Sequence, residues 1–243
     1  EPTAAAISYG LGLQERGEEQ YDTEYFLVYD LGGGTMDISI MELEPKSEGG
    51  LPGFNVISIT GDHMLGGYDF DQRLTELIID KIKKNHNLNI SKDDPSTSDI
   101  YDNIYNRVFK EAEGLKKQLS ASNEIDVEFP FLPSPSGAPI NAEISVTRKE
   151  YESEIYDLLE RTMNLIDEAL VISKRPIEIE DIETILMVGG STRTPKIKEM
   201  IEEKFGFAPN IYKPDLCVSF VATIMVAILS CIPVSPADKE ILK

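Results

Sequence analysis

The chain is poor in cysteine and histidine, and this scarcity excludes two common kinds of site. Its 243 residues include two cysteines, Cys217 and Cys231, which lie in one apolar stretch. Their spacing suits neither a zinc site nor a disulfide framework, so we expect buried thiols in a reducing compartment. The two histidines, His63 and His86, are isolated, and we assign them no metal or catalytic role.

Basic residues are also scarce relative to acidic ones. There are 23 Lys and Arg against 43 Asp and Glu, which gives a formal net charge of -20 at pH 7. A surface of this sign repels nucleic acid and anionic membranes, so we predict neither as a partner. A magnesium nucleotide can still bind where backbone donors are arranged locally.

The chain has no initiator methionine and no signal peptide. Residues 1–6, Glu-Pro-Thr-Ala-Ala-Ala, are typical of the opening of a helix, so we expect an excised part of a longer protein. An uncharged run over residues 216–237 is long enough to cross a membrane. Because Cys, Ser and Thr interrupt it and no basic flank follows closely, we favour a buried helix followed by a loop.

The chain does contain a glycine-rich turn between apolar runs, Asp30-Leu-Gly-Gly-Gly-Thr-Met-Asp37. Alternation of apolar and polar residues after it predicts a strand, a turn and a second strand. Three glycines can direct their N–H groups to one point, as a phosphate cradle requires. Carboxylates at Asp30 and Asp37 could hold a hydrated divalent cation or orient water. The turn matches neither a dinucleotide fingerprint nor a P-loop, and an ordinary hairpin turn is the alternative.

Further hydrophobic patterns predict a mixture of strands and helices. We expect a third strand at 54–59, helices at 70–82 and 101–119, a hairpin at 125–146, and a long helix from the capping box at 147–150 to about Ser173. A buried strand at 185–188 then meets a second glycine turn. Thr194 and Pro195 begin the next helix, which ends before Gly206, and a last helix follows Pro214.

Six separated segments resemble, in the same order, the nucleotide-binding domain of the seventy-kilodalton heat-shock protein (Hsp70) chaperones. They are residues 1–6, 30–37, 65–73, 113–120, 188–197 and 214–215. The resemblance implies an α/β fold, a lobe of the actin-like ATPase (ribonuclease H-like) type, with a mixed sheet, flanking helices and an inserted helical and hairpin subdomain. It implies a crossing helix and connection from the missing first lobe at 1–24, the core of the second lobe at 25–65 and 147–232, the inserted subdomain at 66–146 and a tail at 233–243.

The resemblance also implies ATP or ADP with Mg²⁺ as the cofactors, and it assigns roles to the first glycine turn. The residues that would contact the β- and γ-phosphates are Gly32, Gly33, Gly34 and Thr35, with Thr35 also counted as catalytic. Asp30 would hold magnesium through water, Asp37 would help to orient the attacking water, and Glu1 would assist catalysis from the crossing helix. Such roles suit phosphoryl transfer, which depends mainly on positioning and charge stabilisation.

The same resemblance assigns a nucleoside pocket. The residues that would line it are Glu113, Lys116, Lys117 and Ser120. Phosphate and adenine would contact the second glycine turn, through Gly189, Gly190, Ser191 and Arg193. Asp215 would close the far side of the pocket. The alternative for Lys110, Lys116 and Lys117 is a solvated helix face of no specific function.

The sequence departs from the family pattern in several places. The family's first phosphate loop and catalytic lysine lie upstream of Glu1, so this chain alone would form half of a cleft. Lys117 replaces the common arginine and loses its planar stacking, and Tyr68 replaces an acidic residue. Val221 and Thr223 stand where the family has small residues, and the tail lacks the leucine-rich linker to a substrate-binding domain.

The leading hypothesis is the second lobe of the ATP-binding and ATP-hydrolysing domain of an Hsp70-type chaperone that assists protein folding. Implied partners are a nucleotide-exchange factor, a J-domain co-chaperone and, through another domain, unfolded client peptides; the implied location is the cytoplasm, with an organelle lumen as the alternative. The part alone should bind nucleotide weakly and turn over negligibly. The alternatives are a non-catalytic module that binds exchange factors or co-chaperones and, less favoured because no sugar-recognition insert is evident, a sugar kinase.

Overall fold

A computed structural model describes residues 23–44 and 53–211, with side chains for 23–44 and 55–210. Several expectations therefore lie outside the described residues: the first helix with Glu1, the two cysteines, the uncharged run, Val221 and Thr223, Asp215 and the last helix. The elements in chain order are β1 (Glu24–Leu31), β2 (Met36–Glu44), β3 (Gly53–Asp62), α1 (Gly67–Asn85), α2 (Ser98–Ala121), β4 (Glu124–Leu132), β5 (Ile140–Thr147), α3 (Arg148–Glu154), α4 (Tyr156–Val171), β6 (Ile182–Val188), α5 (Pro195–Phe205) and β7 (Asn210–Ile211).

A five-stranded mixed sheet has the order β3-β2-β1-β6-β7. The strands β1, β2 and β3 pair antiparallel, whereas β6 pairs parallel with both β1 and β7. Strand β1 lies centrally, and its side chains alternate between two apolar clusters, with Leu27 and Tyr29 in one and Phe26 and Val28 in the other. Burial of both faces explains the continuous apolar run of β1. The predicted α/β class and mixed sheet are confirmed.

Helix α1, helix α2 and the β4–β5 hairpin pack together and continue the main apolar cluster. The buried residues of α1 follow helical spacing, and so do those of α2, as the sequence patterns predicted. Strand β4 pairs with β5 in a separate two-stranded sheet, with Ile125 opposite Val146. The division of the chain into a core and an inserted subdomain stays a prediction.

The single long helix expected after Thr147 is instead two helices, α3 and α4. The predicted capping box is present, because Thr147 Oγ1 accepts from the Glu150 N–H and the Glu150 carboxylate accepts from the Thr147 N–H. Ile155 lies between the helices, fully buried, with φ -100° and ψ 5°. Helix α3 packs on α1 and β5, whereas α4 packs on β2 and β3. Because of this break, α3 and α4 pack on different neighbours. The spacing of hydrophobic residues along the chain does not reveal such a change of direction.

A buried hydrogen bond anchors β1 to α4 directly beside the first glycine turn. Tyr29 Oη donates to Thr162 Oγ1 over 2.7 Å, and Thr162 Oγ1 donates to the Leu159 carbonyl over 2.7 Å. Burial raises the pKa of Tyr29, so its hydroxyl stays protonated and keeps donating. The residue before Asp30 is therefore fixed against the helix layer.

Candidate nucleotide site

The first glycine turn, residues 32–35, joins β1 to β2 and brings two carboxylates together. Asp30 pairs with Asp37 in the antiparallel register, and the Gly32 N–H closes the turn on the Thr35 carbonyl over 3.0 Å. Residues directly opposite each other in antiparallel strands point to the same face of the sheet. Asp30 is buried, with 8% of its surface exposed, whereas Asp37 is half-buried. The pair therefore presents oxygen ligands on one face.

The second glycine turn, residues 189–193, passes directly beside the first. Strand β6 runs parallel to β1 with Val188 opposite Asp30, so the two turns lie at the same end of the sheet. Gly189 has φ +85°, and a Cβ there would overlap the Leu31 carbonyl and come within 2.9 Å of Asp30 Oδ1. Only glycine is tolerated at such a position. A one-turn 3₁₀ helix, Gly190–Arg193, then leads to α5.

A third segment, Gly66 and Gly67 at the start of α1, joins the two turns. The Gly67 N–H donates to the Gly32 carbonyl over 3.0 Å, and the Tyr68 N–H donates to the Gly33 carbonyl over 2.7 Å. Ser191 Oγ donates to the same Gly32 carbonyl over 2.9 Å. A Cβ on Gly66 would lie 2.6 Å from Gly34 Cα. The first N–H groups of α1 therefore hold the glycine turn.

Helix α2 supplies the wall opposite these turns. Its four predicted pocket residues share one face because they occur at helical spacing, and they are Glu113, Lys116, Lys117 and Ser120. Together with Gly33, Gly190, Ser191 and Arg193 they line a cleft of about 1080 Å³, which we call the cleft from here on. The other predicted residues of the two turns, Asp30, Gly32, Gly34, Thr35, Asp37 and Gly189, lie beside it.

The two adjacent lysines of α2 have different surroundings. Lys116 is 8% exposed, and its Nζ donates to the Gly67 carbonyl over 2.8 Å and lies 2.8 Å from Asp71 Oδ1. Lys117 is exposed and pairs with Glu113 over 2.7 Å, and the bond from Lys117 lowers the pKa of Glu113. The solvated-face alternative suits Lys110 and Lys117, which are exposed, and is wrong for Lys116.

Several lining residues had been given no site role, namely Gly67, Tyr68, Asp71, Ala121 and Thr194. Asp71 is the most notable, because burial raises its pKa while the hydrogen bond from Lys116 and the charge of that lysine oppose the rise. The available signal was the pair Gly66 and Gly67 directly before a helix, with a carboxylate one turn inside it. The contacts of Asp71 with α2 join residues that are distant in the chain, and helical periodicity does not reveal such contacts.

Comparison with known proteins places the chain in a family. The family model described as "Hsp70 protein" matches residues 1–238. The chain belongs to the Hsp70 family. Similar proteins include the chaperone protein DnaK of Thermotoga maritima, 41% identical over 232 residues, and that of Thermosipho melanesiensis, 38% identical over 231 residues. The DnaK of Mycoplasma mobile is 36% identical over 231 residues. Each match covers 95% of this chain and 35% of the relative, so the chain spans about a third of their length.

The mixed sheet and flanking helices of this Hsp70 chain are those of the actin-like ATPase fold expected from the resemblance. Tyr68 is 53% exposed, and its ring meets that of Phe109 edge to face, at 5.4 Å between centroids. Phe109 in turn stacks on Tyr105 at 5.8 Å. An aromatic row on α2 thus holds the Tyr68 ring. Within the ranges 23–44 and 53–211, no helix is long and apolar enough to cross a membrane.

The residues present in this Hsp70 chain fit a magnesium nucleotide. Gly33 and Gly34 are exposed, and a Cβ built on either meets nothing within 4 Å, so the outer side of the turn is open to a ligand. Paired carboxylate oxygens are the hard donors that Mg²⁺ prefers. Backbone N–H groups of a glycine turn suit phosphate oxygens, and the donors of the α2 face suit a nucleoside.

Proposed function

We propose that this chain forms one half of a magnesium-dependent nucleotide cleft, the second lobe of the ATP-binding and ATP-hydrolysing domain of an Hsp70-type chaperone. The observation that carries the proposal is the convergence of two glycine turns and the α2 face on the cleft, beside the paired Asp30 and Asp37. In this proposal residues 25–65 and 147–232 form the lobe core, 66–146 the inserted subdomain, 1–24 the crossing helix with its connection, and 233–243 the tail.

The proposed roles follow the chemistry of each segment. Backbone groups of residues 32–35 bind the β- and γ-phosphates, and Asp30 holds Mg²⁺ through water, while Asp37 orients the attacking water. The bound ion neutralises charge that develops on the phosphate oxygens. Glu113, Lys116 and Ser120 contact the nucleoside on α2. At the second turn, the residues assigned to the phosphate and adenine are Gly189, Gly190, Ser191 and Arg193. Lys117 completes the α2 wall, and Asp215 closes the far side of the nucleoside pocket. Glu1 assists catalysis.

The proposed setting is that of a chaperone working with partners. We infer from the DnaK relatives that the protein acts in the cytoplasm with a nucleotide-exchange factor and a J-domain co-chaperone on unfolded peptides. Neither nucleic acid nor membrane is proposed as a partner, because the net charge of -20 repels both.

Calorimetric titration of the full-length protein with ADP, with and without Mg²⁺, tests the nucleotide claim. Asp30→Asn should weaken MgADP binding about tenfold or more, since it removes a charged acceptor for the water shell of the ion, and should not weaken metal-free binding. Asp126→Asn is the matched control, because Asp126 is an exposed carboxylate on β4, opposite Ser145 in the hairpin. Absence of heat with the parent protein would overturn the proposal.

Turnover assays separate the proposal from its alternatives. Hydrolysis of ATP by the full-length protein excludes a non-catalytic interaction module. Binding of an exchange factor without any nucleotide binding would instead favour that module. Phosphorylation of a hexose would instead support the sugar kinase.

A further inference from the structure

We propose that Asp71 is a positioning residue: by its ion pair it holds Lys116 so that the cleft receives hydrogen-bond donors from this lysine with almost no net charge. The inference rests on the proposed function, because it specifies which part of a nucleotide the α2 wall accepts. Asp71 lies on α1, one turn inside the helix, and reaches across the cleft wall to α2.

The donors of Lys116 are partly committed within the protein. An ammonium group has three N–H donors. One bonds the Gly67 carbonyl over 2.8 Å, and the ammonium as a whole forms an ion pair with Asp71, with Nζ 2.8 Å from Oδ1. Lys116 nevertheless lines the cleft. The donors that do not bond Gly67 are therefore what the lysine can offer to a ligand.

Asp71 also cancels most of the charge of that ammonium. Both side chains are largely shielded from water, with 11% and 13% of their surfaces exposed, so their mutual attraction is screened little. A phosphate, which seeks uncompensated positive charge, gains little from such a pair. An uncharged acceptor, such as a sugar hydroxyl or a ring nitrogen, needs only a hydrogen-bond donor, which Lys116 still offers. The pair therefore selects the nucleoside end of the ligand and leaves the phosphates to the glycine turns.

Asp71 also affects the part of the site that binds the phosphates, through Lys116 and Gly67. Gly67 accepts from Lys116 with its carbonyl and donates with its N–H to Gly32. A Cβ on Gly67 would come within 3.0 Å of Lys116 Nζ, so the ammonium is packed against this backbone. Displacement of Lys116 should therefore loosen the contact between α1 and the first glycine turn.

Two ligand fragments test the selection in the full-length protein: adenosine, and magnesium pyrophosphate, each measured by competition with a fluorescent ADP analogue. Asp71→Asn keeps the shape but removes the charge, so adenosine should bind about threefold to tenfold more weakly, whereas pyrophosphate should lose less affinity, because the uncompensated charge of Lys116 offsets the loosened first glycine turn. Asp71→Glu, which keeps the charge, should retain the preference of the parent. In a Lys116→Met background, Asp71→Asn should change neither affinity. Equal losses for both ligands, unchanged affinities, or an effect that persists without Lys116 would overturn the proposal.

Hydrogen exchange of the ligand-free protein separates this inference from the proposed function. The Gly67 and Tyr68 amides bond the first glycine turn, and Asp71→Asn should speed their exchange about tenfold while leaving the amides of α5 unchanged. Glu76→Gln, an exposed change on the same helix, is the control and should leave all these rates as in the parent. A parent that binds no nucleotide would overturn the proposed function, whereas unchanged exchange at Gly67 would overturn the role of Asp71.

Discussion

At the scale of the residue, Gly189 and Gly190 are neighbours with opposite tolerance for a side chain. Gly189 has φ +85° and its Cβ position overlaps the Leu31 carbonyl, whereas a Cβ on Gly190 meets nothing within 4 Å. Gly189→Ala should therefore lower the free energy of unfolding by about 2 kcal/mol or more, through backbone strain and steric overlap. Gly190→Ala should change it by less than about 1 kcal/mol. Urea unfolding measures both, and equal effects would contradict the assigned geometry.

Glu150 is a second residue whose surroundings have a measurable effect, in this case on its pKa. Its carboxylate accepts from Lys81 over 2.6 Å and from the Thr147 N–H over 2.9 Å, and these bonds, with that of Lys81 the largest cause, lower its pKa to about 2. A depressed folded pKa stabilises the protein above the ordinary value of 4.5, and this contribution is lost as the pH falls toward 2.

Glu150→Gln should lower the free energy of unfolding at pH 7 by about 1 kcal/mol, less than the pKa shift alone suggests, because the side chain is 42% exposed and water screens it. The difference between parent and variant should shrink as the pH falls from about 5 to 3. Urea titrations across this range measure it. Glu154→Gln on the same helix is the control, and a difference that does not depend on pH would count against the bonds to Lys81 and Thr147.

Lys116 marks the limit of prediction at this scale. The family resemblance implied that it lines a nucleoside pocket with Glu113 and Ser120, and all three residues line the cleft. Spacing could not show that Nζ turns to Asp71 and the Gly67 carbonyl, because both partners come from a helix more than forty positions earlier in the chain. The resemblance thus points to the residues of one cleft wall, whereas the partners that tune their charge require the tertiary arrangement.

At the scale of the element, Ile155 lies between α3 and α4, which the hydrophobic periodicity predicted as one helix. It is fully buried between α3, which packs on α1, and α4, which packs on β2. Ile155→Ala should lower the free energy of unfolding by about 2–4 kcal/mol, since it leaves a cavity where the two layers meet. Ile172→Ala, at the end of α4 and 48% exposed, should cost less than about 1 kcal/mol. Similar costs in urea unfolding would argue against the assigned packing.

Strands and two helix ends were well predicted from sequence, whereas Thr194 precedes Pro195 as expected but makes no side-chain cap bond. The alternation in β2 and β5 and the apolar run of β1 each correspond to a strand, and Thr147 and Gly206 mark helix ends where expected. These signals are local: side-chain period, cap hydroxyl and a left-handed glycine, at φ +78° for Gly206. The start of α1 carries no such cap hydroxyl, and its N–H groups are satisfied by Gly32 and Gly33, more than thirty residues earlier. Sequence pattern alone could not assign that role.

At the scale of the whole molecule, charge decides how a nucleotide is held. Within residues 23–44 and 53–211, the cations lining the cleft are Lys116, Lys117 and Arg193, and carboxylates of Asp71 and Glu113 pair with the two lysines. Asp30 and Asp37 add negative charge beside it, and the chain as a whole carries -20. An anionic ligand therefore approaches an unfavourable field. Magnesium and backbone N–H groups, rather than lysines, must supply most of the phosphate binding.

The ionic-strength dependence of ADP binding tests this balance. In excess Mg²⁺, raising NaCl from about 50 to about 300 mM should change the affinity of the full-length protein less than about threefold, because screening weakens repulsion and attraction alike. Removal of Mg²⁺ with EDTA should weaken binding about tenfold or more, since the free nucleotide then meets Asp30 and Asp37 directly. Calorimetry at matched pH measures both. A steep fall in affinity with salt, as for a basic cleft, would mean that the lysines supply most of the phosphate binding.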